Sequence, residues 1–228
     1  MEPDVYYHRM SGKYSLGDAV TATLVGAAIA IPLAFIYSYL ILYIPFIYLN
    51  ALFTLGFGIA LGVTAFGMLK WRRIRNLKVG TAIAFLVTAA GFYLSWAVWI
   101  YALFNRSDVD VALWPIVADP TGLWGVIQSV NEVGAWRFRS YTPTGAVLWG
   151  VWAIEAGLIF GIGVVIANHM FADTPFCEEC GTWCEKKEGV AAFAADEPAP
   201  DADELKHRLE QKDFRLLEQL GPAAEGPG

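Results

Sequence analysis

Long uncharged runs are the first pattern along this chain. Ala19 to Leu69 contains no Asp, Glu, Lys, Arg or His. Val79 to Asn105 contains none either, and Tyr141 to Asn168 holds one ionisable side chain apart from its terminal residues, Glu155. About 20 apolar residues at 1.5 Å rise cross a hydrocarbon core, so runs of this length read as membrane spans. The first run is too long for one span. It contains Ile44-Pro45, and proline cannot donate a helical hydrogen bond, so the run splits there into two helices joined by a tight turn. The expected fold is an all-α membrane protein with four spans, at 19–44, 46–69, 79–104 and 145–168. Each closes its backbone hydrogen bonds internally, as lipid requires.

The segments between spans carry the polar information. Residues 1–18 form a polar N-terminal segment without the pattern of a cleaved signal. Lys70, Arg72, Arg73, Arg75 and Lys78 place five positive charges and no negative one between spans two and three. The positive-inside rule puts that loop, and hence both termini, in the cytosol of a multi-pass protein of a bacterial inner membrane. The outer loop, 105–144, has mixed charge. Trp96, Trp99, Trp114, Trp124, Trp136, Trp149 and Trp152 all fall in the outer half, as expected of an aromatic belt.

Within that loop, Ala118 to Gly134 predicts a short interfacial helix. Asp119 suits the N-cap, Pro120 the first turn and Gly134 the C-terminal cap. Leu123, Trp124, Ile127 and Val130 form an apolar stripe, with Gln128, Asn131 and Glu132 off it.

Composition changes little. Charged residues make up 17% of the chain, below the roughly 25% usual in soluble domains. The net charge of −6 comes mostly from the C-terminal tail, and no basic surface suits a nucleic-acid partner.

Helix packing is expected through two GxxxG patterns, Gly58/Gly62 in span two and Gly157/Gly161 in span four. They lie at matching depth on parallel helices. Glu155, near mid-bilayer, is expected to face the bundle or stay protonated. It is either a proton or cation site or a neutral side chain hydrogen-bonded to a neighbour, with Ser95, Tyr93 and Thr54 as partners at similar depth.

All three cysteines fall in one knuckle, 169–188, as Cys177-x2-Cys180-x3-Cys184. Two thiolates on a glycine turn are half of a tetrahedral zinc site, and Cys184 supplies a third candidate ligand. His169 is the candidate fourth, with Asp173, Glu185, His207 or a second copy of the chain as alternatives. A knuckle without metal and a redox pair are the competing readings.

Beyond the knuckle, 189–201 reads as a linker. Residues 202–220 form an amphipathic helix suited to a protein partner or self-association, and 221–228 a disordered end.

The four spans, the segment from Leu123-Trp124 to Trp136 and the Cys177-x2-Cys180 turn resemble a group of bacterial four-helix integral membrane proteins of uncharacterised function with a C-terminal cysteine knuckle. The resemblance spans residues 15–185 and implies topology, but no activity and no catalytic residue. No P-loop, HExxH or GxSxG motif is present. A membrane-anchored scaffold or assembly protein acting through knuckle and tail is therefore the expected function. The alternative is a small oligomeric transporter or channel using Glu155. An enzyme is not expected.

Overall fold

A computed structural model of the chain describes residues 10–44, 46–136 and 142–184, with isolated positions 203, 207, 208, 210 and 211. It divides into two units, one of residues 10–183 and one of 1–9 with 184–228. The first contains eight regular elements. These are α1 (Leu16–Tyr43), α2 (Ile47–Trp71), α3 (Leu77–Arg106), α4 (Leu113–Ala118), α5 (Pro120–Val133), α6 (Gly145–Ala172), β1 (Phe176–Cys177) and β2 (Thr182–Trp183).

Helices α1, α2, α3 and α6 are each long and apolar enough to cross a membrane, so the chain is a multi-pass membrane protein. The expected break at 44–45 is present, since α1 ends at Tyr43 and α2 begins at Ile47; Pro45 itself lies outside the described residues. The helices run two to four residues further than expected at the end where the 72–76 loop lies. That end is called the basic end here, and the other the tryptophan-rich end.

The four long helices pack as a rhombus. Helices α2 and α3 touch each other across its short diagonal, and each also touches α1 and α6. Burial follows this arrangement: 44% and 50% of an apolar 18-residue stretch of α2 and α3 is buried, against 22% for α1 and for α6. The outer faces of α1 and α6 are left to lipid.

Small residues set how closely the helices approach. On α1 the buried positions Ala22, Gly26, Ala30, Ala34 and Ser38 recur every fourth residue. This row packs on α3, and a Cβ on Gly26 would sit 2.7 Å from Val87 Cγ2. Ser38 completes the row by donating to the Ser95 carbonyl, 2.8 Å. Gly58 and Gly62 do pack on α6, but not against the matching glycines. A Cβ on Gly62 would lie 2.6 Å from the Gly163 carbonyl oxygen, and one on Gly58 would meet Ile159 and Ile162. Gly157 and Gly161 have nothing within 4 Å of a built Cβ and lie on the exposed side of α6. The two motifs match in depth but not in rotation, because a helix places residues two apart about 200° from each other.

At the tryptophan-rich end, α5 has the expected caps. The Asp119 side chain accepts from Gly122 N at 2.9 Å, and Gly134 closes the helix at φ 90°. Its buried row is Leu123, Ile127 and Asn131. Asn131 was expected off the stripe, yet it lies one turn beyond Ile127 and gives its Nδ2 to the Gly145 carbonyl, 3.1 Å. Trp124 is half exposed instead. Leu123 and Ile127 pack on Ala97, Ile100, Leu148 and Trp152. The short helix α4, which the sequence pattern does not announce, precedes α5. Its Val117 carbonyl accepts from the Tyr93 hydroxyl, 2.8 Å.

The predicted tail helix falls almost wholly outside the described residues. Positions 203, 207, 208 and 210 are helical, and Gln211 N donates to the His207 carbonyl, 3.1 Å.

Candidate docking face and intramembrane polar contact

The basic end is built outward from the last turn of α2. Ile74 N reaches the Leu69 carbonyl at 3.0 Å and Arg73 N the Lys70 carbonyl at 3.3 Å. These two bonds form a Schellman closure, with Ile74 buried against the end of the helix. The residue in the left-handed position is Arg73, φ 53°, where glycine is usual. Asn76 then caps α3, accepting from Val79 N at 3.1 Å, while its Nδ2 donates to the Gly12 carbonyl, 3.0 Å. Arg75 N donates to the Lys13 carbonyl, 3.0 Å. The segment ahead of α1 is thereby strapped to the loop, and Arg72 pairs with Asp18 in the first turn of α1.

The cysteine turn is docked onto this platform. Strands β1 and β2 pair antiparallel, Phe176 opposite Trp183 and Cys177 opposite Thr182. Gly181, at φ 66°, makes the turn. Trp183 donates its indole N–H to the Lys70 carbonyl at 2.9 Å and meets Phe171 and Phe176 edge-on. The Arg75 guanidinium lies 4.6 Å above the Phe176 ring and 2.6 Å from Glu178, which Lys13 also approaches at 3.6 Å. A hydrogen bond from Ser11, followed by the Arg75 and Lys13 contacts, holds the Glu178 carboxyl below its ordinary pKa.

Within the turn, Cys180 N–H donates to Cys177 Sγ at 3.3 Å. That bond favours the thiolate and lowers the Cys177 pKa. The sequence expectation makes Cys177 and Cys180 half of a tetrahedral zinc site. The other half is not assembled. Among the described residues no three His, Cys, Asp or Glu side chains gather as metal ligands. His169, the candidate fourth ligand, lies on α6 with Asp173 at 3.6 Å. Cys184 belongs to the second unit, and Glu185 lies outside the described residues.

In the membrane interior, Glu155 on α6 accepts from the Tyr37 hydroxyl of α1 at 2.5 Å. Tyr37 also lies 3.1 Å from Thr54 Oγ1 on α2 and stacks on Phe57 at 4.4 Å. The contact crosses the long diagonal of the rhombus. Of the partners expected by depth, only Thr54 joins the cluster, through Tyr37. Tyr93 is committed to Val117, and Ser95 Oγ donates to Phe92 O at 2.8 Å. Tyr37 lies six residues before the end of α1 and Glu155 ten after the start of α6. Four residues of rise, about 6 Å, separate them in depth, and the length of the phenol bridges that difference.

Near the opposite end an apolar groove of about 380 Å³ runs between α3, α5 and α6. Its walls include Trp96, Trp124, Trp149 and Trp152, joined in edge-on and tilted contacts at 4.9–5.2 Å. These rings pack on one another; Trp152 is buried, and Trp96, Trp99 and Trp149 are half-buried. Trp114, Trp124 and Trp136 are the exposed members of the expected belt.

No family model, curated protein or solved structure matches the chain.

Proposed function

We propose that this protein is a membrane-anchored scaffold that binds a protein partner through its basic end, using the exposed side of the cysteine turn and the tail that follows. In this reading the basic end faces the cytosol of a bacterial inner membrane, because its loop concentrates the positive charge. The observation that carries the reading is the docking of the turn. Trp183, Phe176 and Glu178 fasten it to the α2–α3 loop. The chain is therefore held on the bundle as far as Trp183. The described contacts that hold the turn are aromatic, ionic and hydrogen-bonding.

The test is truncation at residue 184, which removes the tail and keeps the docked turn. Full-length and truncated protein, gently purified from the same host, are compared by quantitative mass spectrometry of bound proteins. The scaffold reading expects a partner in fixed ratio to the full chain and absent from the truncated one. An unchanged set of bound proteins overturns it.

The Tyr37–Glu155 contact supports a second reading, an oligomeric transporter or channel in which Glu155 takes up a proton or cation. Glu155→Gln in proteoliposomes is its test, and an ion or proton flux that Gln leaves intact removes Glu155 from the mechanism.

A further inference from the structure

Next to the docked turn, the basic end holds a polar cavity of about 560 Å³ lined by Lys13, Asp18, Trp71, Arg72, Arg73 and Arg75, with Tyr14 and Ser15 completing the wall. We propose that this cavity is a binding site for the phosphate of an anionic phospholipid headgroup.

The charge balance favours an anion. Four cationic side chains line the cavity, and two carboxylates answer them: Asp18 pairs with Arg72, and Glu178 with Arg75 and Lys13. Arg73 has no acid partner among the described residues. The Nε–H groups of Arg72 and Arg75 are buried and find no acceptor among the described residues. Buried donors without acceptors are costly, more so on a charged group. Those two Nε–H groups are closed off from the cavity, and a phosphate in it accepts instead from guanidinium groups that stay accessible, such as that of exposed Arg73; guanidinium is the side chain that matches phosphate best.

The backbone adds an independent argument. Arg73 occupies the left-handed position of the Schellman closure at φ 53°. Glycine fits there without strain, whereas a side chain with a Cβ is disfavoured by its contact with the following carbonyl. Asp108 holds the equivalent position after α3, φ 57°, but Asp tolerates that conformation far better than Arg. A charged side chain kept where the fold favours glycine marks a requirement other than folding.

Depth identifies the source of the phosphate. The cavity opens at the last turn of a membrane-spanning helix, beside Trp71, which is half exposed and stacks under Arg72 at 5.0 Å. Indole rings settle at headgroup level, and clusters of four or more Lys and Arg next to a span attract acidic lipids. A headgroup phosphate reaches this depth with its acyl chains still in the bilayer.

Arg73→Gly separates binding from folding, because it removes the charge while relieving the backbone. Full-length protein in neutral detergent is titrated with phosphatidylglycerol, phosphatidylcholine or sn-glycerol 3-phosphate, reading thermal stability and native mass spectra. Phosphatidylglycerol is expected to raise Tm and remain bound where phosphatidylcholine does not. Arg73→Gly is expected to be at least as stable without lipid, yet to bind phosphatidylglycerol about tenfold more weakly, the scale of one lost hydrogen bond to a charged group. Arg73→Lys should recover part of that loss. Equal response to the two lipids, or unchanged affinity in Arg73→Gly, overturns the site. Saturation by glycerol phosphate at the same concentration as phosphatidylglycerol overturns the lipid assignment in favour of a soluble phosphate compound.

Discussion

Replacing Gly62 by alanine tests the packing of α2 on α6 most directly. The added Cβ would sit 2.6 Å from the Gly163 carbonyl oxygen and 3.0 Å from Ile166 Cβ. An ordinary carbon–oxygen contact is about 3.3 Å or more, so the two backbones must separate locally by about 0.7 Å. A radial gap of that size forfeits roughly a quarter to a half of each affected contact. The obstruction is backbone on a long helix, which cannot rotate aside as a side-chain tip can. Overpacking of this kind costs about 1–3 kcal/mol. Alanine recovers little through helix propensity, because a span is already helical in the bilayer before it associates. The expected net loss is about 1–2 kcal/mol, read as a fall in the midpoint of unfolding when denaturing detergent is titrated into mixed micelles. Gly157→Ala and Gly161→Ala meet nothing within 4 Å and should stay within about 0.5 kcal/mol of the parent, like other changes away from tight contacts. The reverse result, with Gly157 or Gly161 sensitive and Gly62 indifferent, would refute the register of α2 on α6 and restore a glycine-to-glycine contact.

Three further outcomes are expected. Tyr37→Phe removes the only described hydrogen bond to Glu155 and should destabilise the bundle by about 1–3 kcal/mol, the cost of a buried polar group losing its partner; an unchanged unfolding midpoint would show that the contact carries no weight. Glu178 has a lowered pKa in the folded protein, so its contribution to docking is complete above the ordinary glutamate pKa and is lost as pH falls through the lowered folded value. Trp183 emission, followed between pH 6 and about 3 in a variant with every other tryptophan replaced by phenylalanine, should report release only in the acid part of that range, and a Glu178→Gln protein should not show that transition. Chelation should leave Trp183 emission unchanged, since aromatic and ionic contacts hold the turn; release by a chelator that zinc reverses would establish a metal in the knuckle.

The parts of the fold legible in the sequence are those governed by one-dimensional rules. Span number, the break near residue 45 and the caps of α5 follow from run length, proline and capping chemistry, and each can be read without knowing its neighbours. The contacts that require rotation as well as depth were not legible in the same way. Matching Gly58/Gly62 to Gly157/Gly161 used depth alone, and α6 instead turns Gly163 towards both α2 and the Thr88 side chain of α3. The row Ala22, Gly26, Ala30, Ala34 and Ser38 was available as a small-residue pattern, but it contains a single glycine and so escapes a search for paired glycines. Tyr37 is not legible from equal backbone depth, because a phenol reaches about one helical turn beyond its own Cα.

The same distinction bears on where function resides. In the spans, the small-residue rows and the Tyr37–Glu155 contact across the long diagonal tie helix to helix, and Tyr37 packs flat on Phe57 while it does so. A proton or cation at Glu155 would have to displace or share that hydrogen bond, so any transport there is coupled to loosening of the bundle. At the basic end the reverse holds. The segment ahead of α1, the loop after α2 and the cysteine turn meet around Arg72, Arg73 and Arg75, and the polar groups there exceed what the fold uses. Arg73 stands in a glycine position without an acid partner among the described residues, and two guanidinium N–H groups lack acceptors there. A fold selected only for stability would place glycine at residue 73. The excess of donors and positive charge at that end is what supports the proposal that binding resides there.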